Sequence, residues 1–264
     1  MVEIPIYQID AFAGRIFEGN PAAVCPLSEW LSDDLLLKIA AENNLSETAF
    51  LVPKGEAFEI RWFTPTVEVD LCGHATLASA FVLLNLMGQD HRREIHFQSR
   101  KSGKLSVVKR GELIELDFPV ISLKKTTAPQ RLLEGLGQSL QECFLSSNDT
   151  FVAIFQNESE VAFLKPNLAH LVAAGKCVSV SAPGRNSDFV SRYFAPTHGI
   201  DEDPVTGSAF CYLAPYWTTR LKKSELHAFQ ISSRRGEVFC QQVGDRVKIA
   251  GRAALYLQGT IRLP

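Results

Sequence analysis

Residues 70–81 read DLCGHATLASAF, so a cysteine, a glycine and a histidine stand together where a polar segment becomes an apolar, helix-patterned one. A thiol at Cys72 and an imidazole at His74 are both groups that can carry protons. The glycine between them opens a helix, whose first N–H groups lack intrahelical partners and whose start carries a partial positive charge. Such a start favours an anion, and Gly73, without a side chain, lets a carboxylate approach the backbone closely. The plainer reading is a tight turn before a buried helix, with His74 capping the helix it begins.

The pattern occurs twice. Residues 61–66 are RWFTPT and residues 192–197 are RYFAPT, 131 positions apart. Each is followed by an acidic segment, VEVDLCGHATLASA in the first case and HGIDEDPVTGSAFCYLA in the second. A slide of three residues sets Gly73 against Gly207 and His74 against Ser208. Two homologous halves follow, 1–120 and 121–264, with the chain end free to cross back to the first. If they pack about a pseudo-twofold axis, both helix starts face one cleft. Two backbone nests there would hold a carboxylate or stabilise an enolate-like intermediate.

The elements that must position these residues are mostly strands. Alternating or β-branched runs occur at IPIYQIDAF, TAFLVP, FEIRWF, EIHFQS, KLSVVKR and ELIELDF, and later at FVAIFQ, CVSVSA, FVSRYF, VFCQQV and RVKIA. After each glycine the period changes to that of a helix. Leu77, Ala80, Phe81 and Leu84 in one half match Phe210, Leu213, Ala214 and Trp217 in the other. Both helices are apolar on more than one face, which predicts a central, buried position. A second amphipathic helix is expected from Ser32 to Asn43, with Ser32 as N-cap and Asp33 and Asp34 in its first turn. Strands do not alternate regularly with crossover helices, so the class is α+β: two similar domains, each a barrel-like, mostly antiparallel sheet around a central helix.

Composition narrows the function. With 27 basic and 29 acidic residues in 264 the formal charge is −2, and no basic patch points to nucleic acid or anionic lipid. The N-terminus, MVEIPIYQIDAF, lacks the basic and apolar regions of a signal peptide, and the apolar run from Leu77 to Met87 is too short to span a bilayer. Six scattered cysteines show no CxxC spacing, so no metal site is expected, and free thiols in a cytoplasmic protein are. Neither GxGxxG after a strand nor GxxxxGK[ST] is present, so no nucleotide or flavin cofactor is inferred.

Four ordered blocks, FEGNPAAVCPL (17–27), LSETAFLVP (45–53), FTPTVEVDLCGHATLASAF (63–81) and DEDPVTGSAF (201–210), resemble the PhzF family of phenazine biosynthesis-like isomerases. That family belongs to the diaminopimelate epimerase-like fold, and the resemblance spans the chain. It implies an active site between two similar domains and a small carboxylate substrate. It places a general acid/base at Glu47, which taken alone is an ordinary solvent-facing glutamate before a strand. By the same carry-over Gly73, His74, Asp203, Gly207 and Ser208 line the substrate site. The blander roles are helix capping for His74 and Ser208 and turn initiation for Asp203, which precedes Pro204. Asn20 is expected to form an Asx turn before Pro21. Epimerases of this fold use two thiols, but the position matching Cys72 is Thr206, whose hydroxyl cannot exchange a proton in that way. Cys72 is therefore read as a small buried residue. The leading expectation is a cofactor-free isomerase, with a Cys72-dependent epimerase or racemase and a non-catalytic small-molecule binding protein as alternatives. Homodimers occur in the family, and a twofold dimer is the commonest oligomer.

Overall fold

A computed structural model describes residues 2–89 and 91–263. The elements run β1 (Val2–Ala11), β2 (Asn20–Pro26), α1 (Asp33–Asn43), β3 (Glu47–Lys54), β4 (Ala57–Phe63), β5 (Glu68–Val69) and α2 (Gly73–Leu86). Next come β6 (Glu94–Ser99), β7 (Gly103–Arg110), β8 (Leu113–Pro119), β9 (Leu123–Lys125), α3 (Gln130–Leu136), β10 (Glu142–Ser146) and β11 (Phe151–Ile154). The chain continues through α4 (Glu158–Ala162), α5 (Leu168–Ala174), β12 (Val178–Pro183), β13 (Phe189–Ala195) and β14 (Ile200–Asp203). It closes with α6 (Gly207–Leu221), β15 (Glu225–Gln230), β16 (Gly236–Val243), β17 (Arg246–Gly251) and β18 (Ala253–Leu263). These fall into two compact units. The first holds residues up to Asp117 together with those from Ala250 onward, and the second is Phe118–Ile249. The class is mixed α+β, strand-rich with few helices.

In the first unit β1 and β2 are antiparallel, β2 and β3 parallel across α1, and β3 and β4 form an antiparallel hairpin. β4 then runs parallel to β6 across α2, and β6 pairs antiparallel with β7. In the second unit the same order recurs. β10 and β11 are antiparallel, β11 and β12 parallel, β12 and β13 antiparallel, β13 and β15 parallel across α6, and β15 and β16 antiparallel. The long β18 belongs to the first unit, where it lies antiparallel along β1 from Val2–Leu263 to Ala11–Ala253.

α1 starts where the sequence predicts, with the Ser32 Oγ accepting from the Leu35 N–H and Asn44 ending it in a left-handed conformation. Its inward residues Leu36, Ile39 and Ala40 pack with Cys25, Phe50 and Phe63. α2 is buried on nearly every side from His74 to Leu84 and lies against β1, β2 and β3. α6 holds the corresponding place among β15 and β16, with Phe210, Leu213, Ala214 and Trp217 all buried.

The sequence repeat has a physical counterpart. In the first unit Arg61, 1% exposed, grips Glu68 with two hydrogen bonds of 2.7 Å and lies over the Phe63 ring at 4.9 Å. In the second, Arg192 grips Glu202 at 2.7 and 2.8 Å and lies over Phe194 at 4.9 Å. Each clamp ties the strand before the central helix to the short strand leading into that helix. A forked guanidinium matches a carboxylate in two bonds at once, which a lysine does not.

Two expectations are corrected here. Asn20 is not in an Asx turn: it is the fully buried first residue of β2 and pairs with Ala11. The second half also has more than one helix, since α3, α4 and α5 pack on its outer apolar cluster around Leu132, Val161 and Leu171. No helix among the described residues is long and apolar enough to cross a membrane.

Candidate functional site

Glu47 is the first residue of β3, next to Ala22 of β2, and reaches this place through the left-handed turn at Asn44 that ends α1. Cys72 is the N-cap of α2 in extended backbone, but its side chain makes no capping bond. Nor does His74 cap the helix: its ring turns toward Glu47 and Cys72. The His74 Nε2 lies 3.0 Å from Glu47 Oε2. Cys72 Sγ lies 3.5 Å from Nδ1 and 3.9 Å from Nε2 of the same ring, near-equal distances that set the sulfur beside the ring and off the axis of either nitrogen.

Cys72 and His74 are each 6% exposed, and the Glu47 side chain 18%. The Glu47 Oε2 is buried, yet despite its closeness to Nε2 it makes no hydrogen bond of acceptable alignment. Oxygen and nitrogen thus converge without pointing at each other. Burial, aided by the Glu47 charge, pushes the Cys72 thiol up. Burial would pull the His74 imidazole down, but Cys72 and Glu47 outweigh it and raise its pKa well above the ordinary value. The hydroxyls behind this group are spent on the helix itself, Thr76 donating to the Cys72 carbonyl at 2.6 Å and Ser79 to that of Ala75 at 2.7 Å.

The second unit builds its helix start differently. Thr206 is the N-cap of α6 and its hydroxyl donates to the Asp203 carboxylate. The fully buried Gln230 donates to the Asp203 carbonyl at 2.7 Å and accepts from the Thr206 N–H at 2.9 Å. Gly207 is buried and Ser208 exposed. Ser208 is inside the helix and is not its cap. The carboxylate of Asp203 therefore fixes the turn into α6. By strand register, Thr48 opposite Phe63 matches Val178 opposite Phe194, so Cys177 stands where the first unit has Glu47. Its sulfur lies 3.8 Å from Thr197 Oγ1 and 3.6 Å from His198 Nδ1.

Of the expected residues, Glu47, Gly73 and His74 gather in the first unit, and Asp203, Gly207 and Ser208 in the second. Sequence reasoning missed Gln230 and set Cys72 aside. It also expected no cluster of metal-ligating groups, and this is corrected. One carboxylate oxygen of Glu47, Cys72 Sγ and a ring nitrogen of His74 lie within 4.8 Å of one another. The usable signal was Cys72 and His74 two residues apart at a helix start.

A duplicated α+β architecture carries an acid beside an imidazole at the start of a central helix. The chain belongs to the PhzF family: the family model described as phenazine biosynthesis-like protein matches residues 9–259. An uncharacterized isomerase of Pseudomonas aeruginosa is 47% identical over 263 residues, 99% of this chain and 100% of that protein. A crystal structure of a PhzF-family protein from Enterococcus faecalis superposes with a TM-score of 0.96 at 43% identity, covering 99% of this chain and 100% of that one. A predicted epimerase of P. aeruginosa, with TM-score 0.76 and 21% identity over 99% and 100% of the two chains, shares the fold. The family is one of isomerases.

Proposed function

We propose that the protein is a cofactor-independent isomerase of a small carboxylate, in which Glu47 takes a proton from one carbon and returns it to another. The observation that supports this reading is the buried Glu47 Oε2, held 3.0 Å from a raised-pKa His74 with no aligned hydrogen bond to consume it. A carboxylate so placed can accept a proton in line with a substrate C–H. One carboxylate working on one face suits a suprafacial shift. The first turn of α2, opened by Gly73, offers N–H groups and a partial positive charge to the substrate carboxylate. Gly207, Ser208 and Asp203 are further substrate-binding candidates of the second unit.

The test is proton NMR in D2O with a panel of small unsaturated and cyclic carboxylic acids. Deuterium should enter a substrate with wild type, and Glu47→Gln should lose that exchange by at least a thousandfold while melting normally. Exchange retained by Glu47→Gln would sink the proposal. A second reading, a Cys72-dependent epimerase, draws on the sulfur's place beside His74. Exchange lost in Cys72→Ser but kept in Glu47→Gln would favour it. Binding without exchange into any compound would favour a ligand-binding role.

A further inference from the structure

We propose that a cavity of about 460 Å³ beside α6, within the second unit, binds a small carboxylate with a flat apolar body. Its lining is mostly apolar, with Val120, Ile121 and Leu123 from the chain entering β9, Phe144 from β10, and Tyr212 and Pro215 from α6. A cavity of this size, apolar with a few convergent polar groups, has the usual form of a small-molecule site. Pro215 and Arg220 stand about 12 and 20 Å beyond Gly207 along the helix axis, so the cavity is separate from the start of α6. A proline builds it. Pro215 has no N–H, so the Cys211 carbonyl four residues earlier loses its intrahelical donor, and the Ile121 N–H donates to it instead at 3.1 Å. The Ser122 carbonyl accepts from the Ser147 N–H at 2.9 Å, and Phe144 pairs with Lys125 across the strands. Backbone bonds thus hold the walls in place before any ligand arrives.

The polar groups at the cavity select an anion. Glu142 is the single acid among the lining residues. Its carboxylate accepts from Lys125 Nζ at 2.9 Å, the Tyr216 hydroxyl at 2.7 Å and Arg220 Nη1 at 3.0 Å. Lys125 and Tyr216 hold its pKa below the usual carboxylate range, so it is ionised and already engaged. Two cations against one anion leave a positive excess for a ligand to neutralise. Arg220 is the anchor. Arg61 and Arg192 each spend Nε and Nη2 on a glutamate in two parallel bonds. Arg220 meets Glu142 through Nη1 alone, which leaves that forked edge for the carboxylate of a ligand. The Tyr216 ring lies 5.8 Å from the same guanidinium and meets Phe144 edge-on at 5.6 Å, so aromatic surface stands next to the anchor. A carboxylate on a flat apolar body satisfies both features at once. The inference is independent of the isomerase reading, since none of these residues belongs to the Glu47 site.

Calorimetric titration of the purified protein with benzoate tests this. Wild type should bind benzoate, and should bind uncharged benzamide about tenfold or more weakly, the worth of a hydrogen bond to a charged group. Acetate, which keeps the charge and lacks the apolar body, should also bind more weakly. Arg220→Gln should weaken benzoate binding by about tenfold or more, while Glu47→Gln leaves it unchanged. Should Arg220→Gln not fold, Ser122→Glu, which adds an acid to the wall, takes its place with the same expected loss. No benzoate binding in wild type, equal binding of benzamide, or unchanged binding in the cavity variant overturns the site. Loss of benzoate binding in Glu47→Gln with retention in Arg220→Gln assigns the probe to the Glu47 site and overturns it as well.

Discussion

At the scale of single residues, the chemistry concentrates on His74, a buried imidazole with a carboxylate on one side and a thiol on the other. Its pKa is raised well above the ordinary 6.5. A group whose native pKa exceeds its unfolded one contributes stability that is complete below the unfolded value and fades as pH climbs through the native value. Wild type should therefore exceed His74→Gln in urea midpoint most at about pH 5.5, with the gap narrowing steadily into the alkaline range. A gap that widens with pH, read from parallel urea titrations, would contradict the pairing with Glu47. Little of this cluster was legible beforehand. Cys72 and His74 are adjacent in sequence, but Glu47 lies on a separate strand and looks like any exposed glutamate before a β-run. Only the fold brings it to the ring, so a chain search for metal-ligand spacing finds nothing.

At the scale of elements, the twin arginine clamps carry the duplication. Arg61 also bonds Asp33 at 2.7 Å, in the first turn of α1. Arg192 instead donates to the Val161 and Leu164 carbonyls at 3.1 and 2.8 Å, tying down α4 and the loop after it. Removing one partner of a buried pair costs about 3–5 kcal/mol, because the other charge is stranded. Arg61→Met should approach that range, with its partner Glu68 left against the sheet. The Arg192 side chain is 12% exposed and should cost less. Hydrogen exchange should separate the two: Arg192→Met speeds exchange in residues 158–164, and Arg61→Met speeds it in α1. Equal effects on both segments would remove the assignment. These clamps were visible as RWFTPT and RYFAPT, since a repeated Arg-aromatic-Phe keeps its geometry. The helices α3, α4 and α5 were not, being only 7, 5 and 7 residues long and so carrying almost no period. One signal was overlooked: Asn157 and Glu160 form a full capping box at α4. β2 escaped because NPAAVCP is buried nearly throughout and shows no alternation.

At the scale of the whole molecule, all six cysteines are free and buried. Burial pushes Cys25 and Cys211 up to about 12 and Cys143 to about 11, from an ordinary 9.0. Raised native values mean that this stability is whole below pH 9 and lost as pH rises toward 11 and 12. In the unfolded chain the thiols ionise first, each adding a slope of about 1.4 kcal/mol per pH unit in that window. The urea midpoint should fall steeply from about pH 9 upward, and less steeply in a Cys25→Ala, Cys211→Ala double variant. Identical slopes would show that the thiols do not govern the alkaline limb.

The strand β18 bears on how the molecule comes into being. It is the partner of β1 along the whole length of that strand, yet it is made only after the entire second unit. During synthesis every residue of the second unit is available before the first unit can close. Until then one flank of β1 exposes unpaired N–H and C=O groups, a template for any extended chain nearby. A nascent chain of this protein therefore completes its second unit before its first, and its vulnerability to misassembly ends only once β18 has been made.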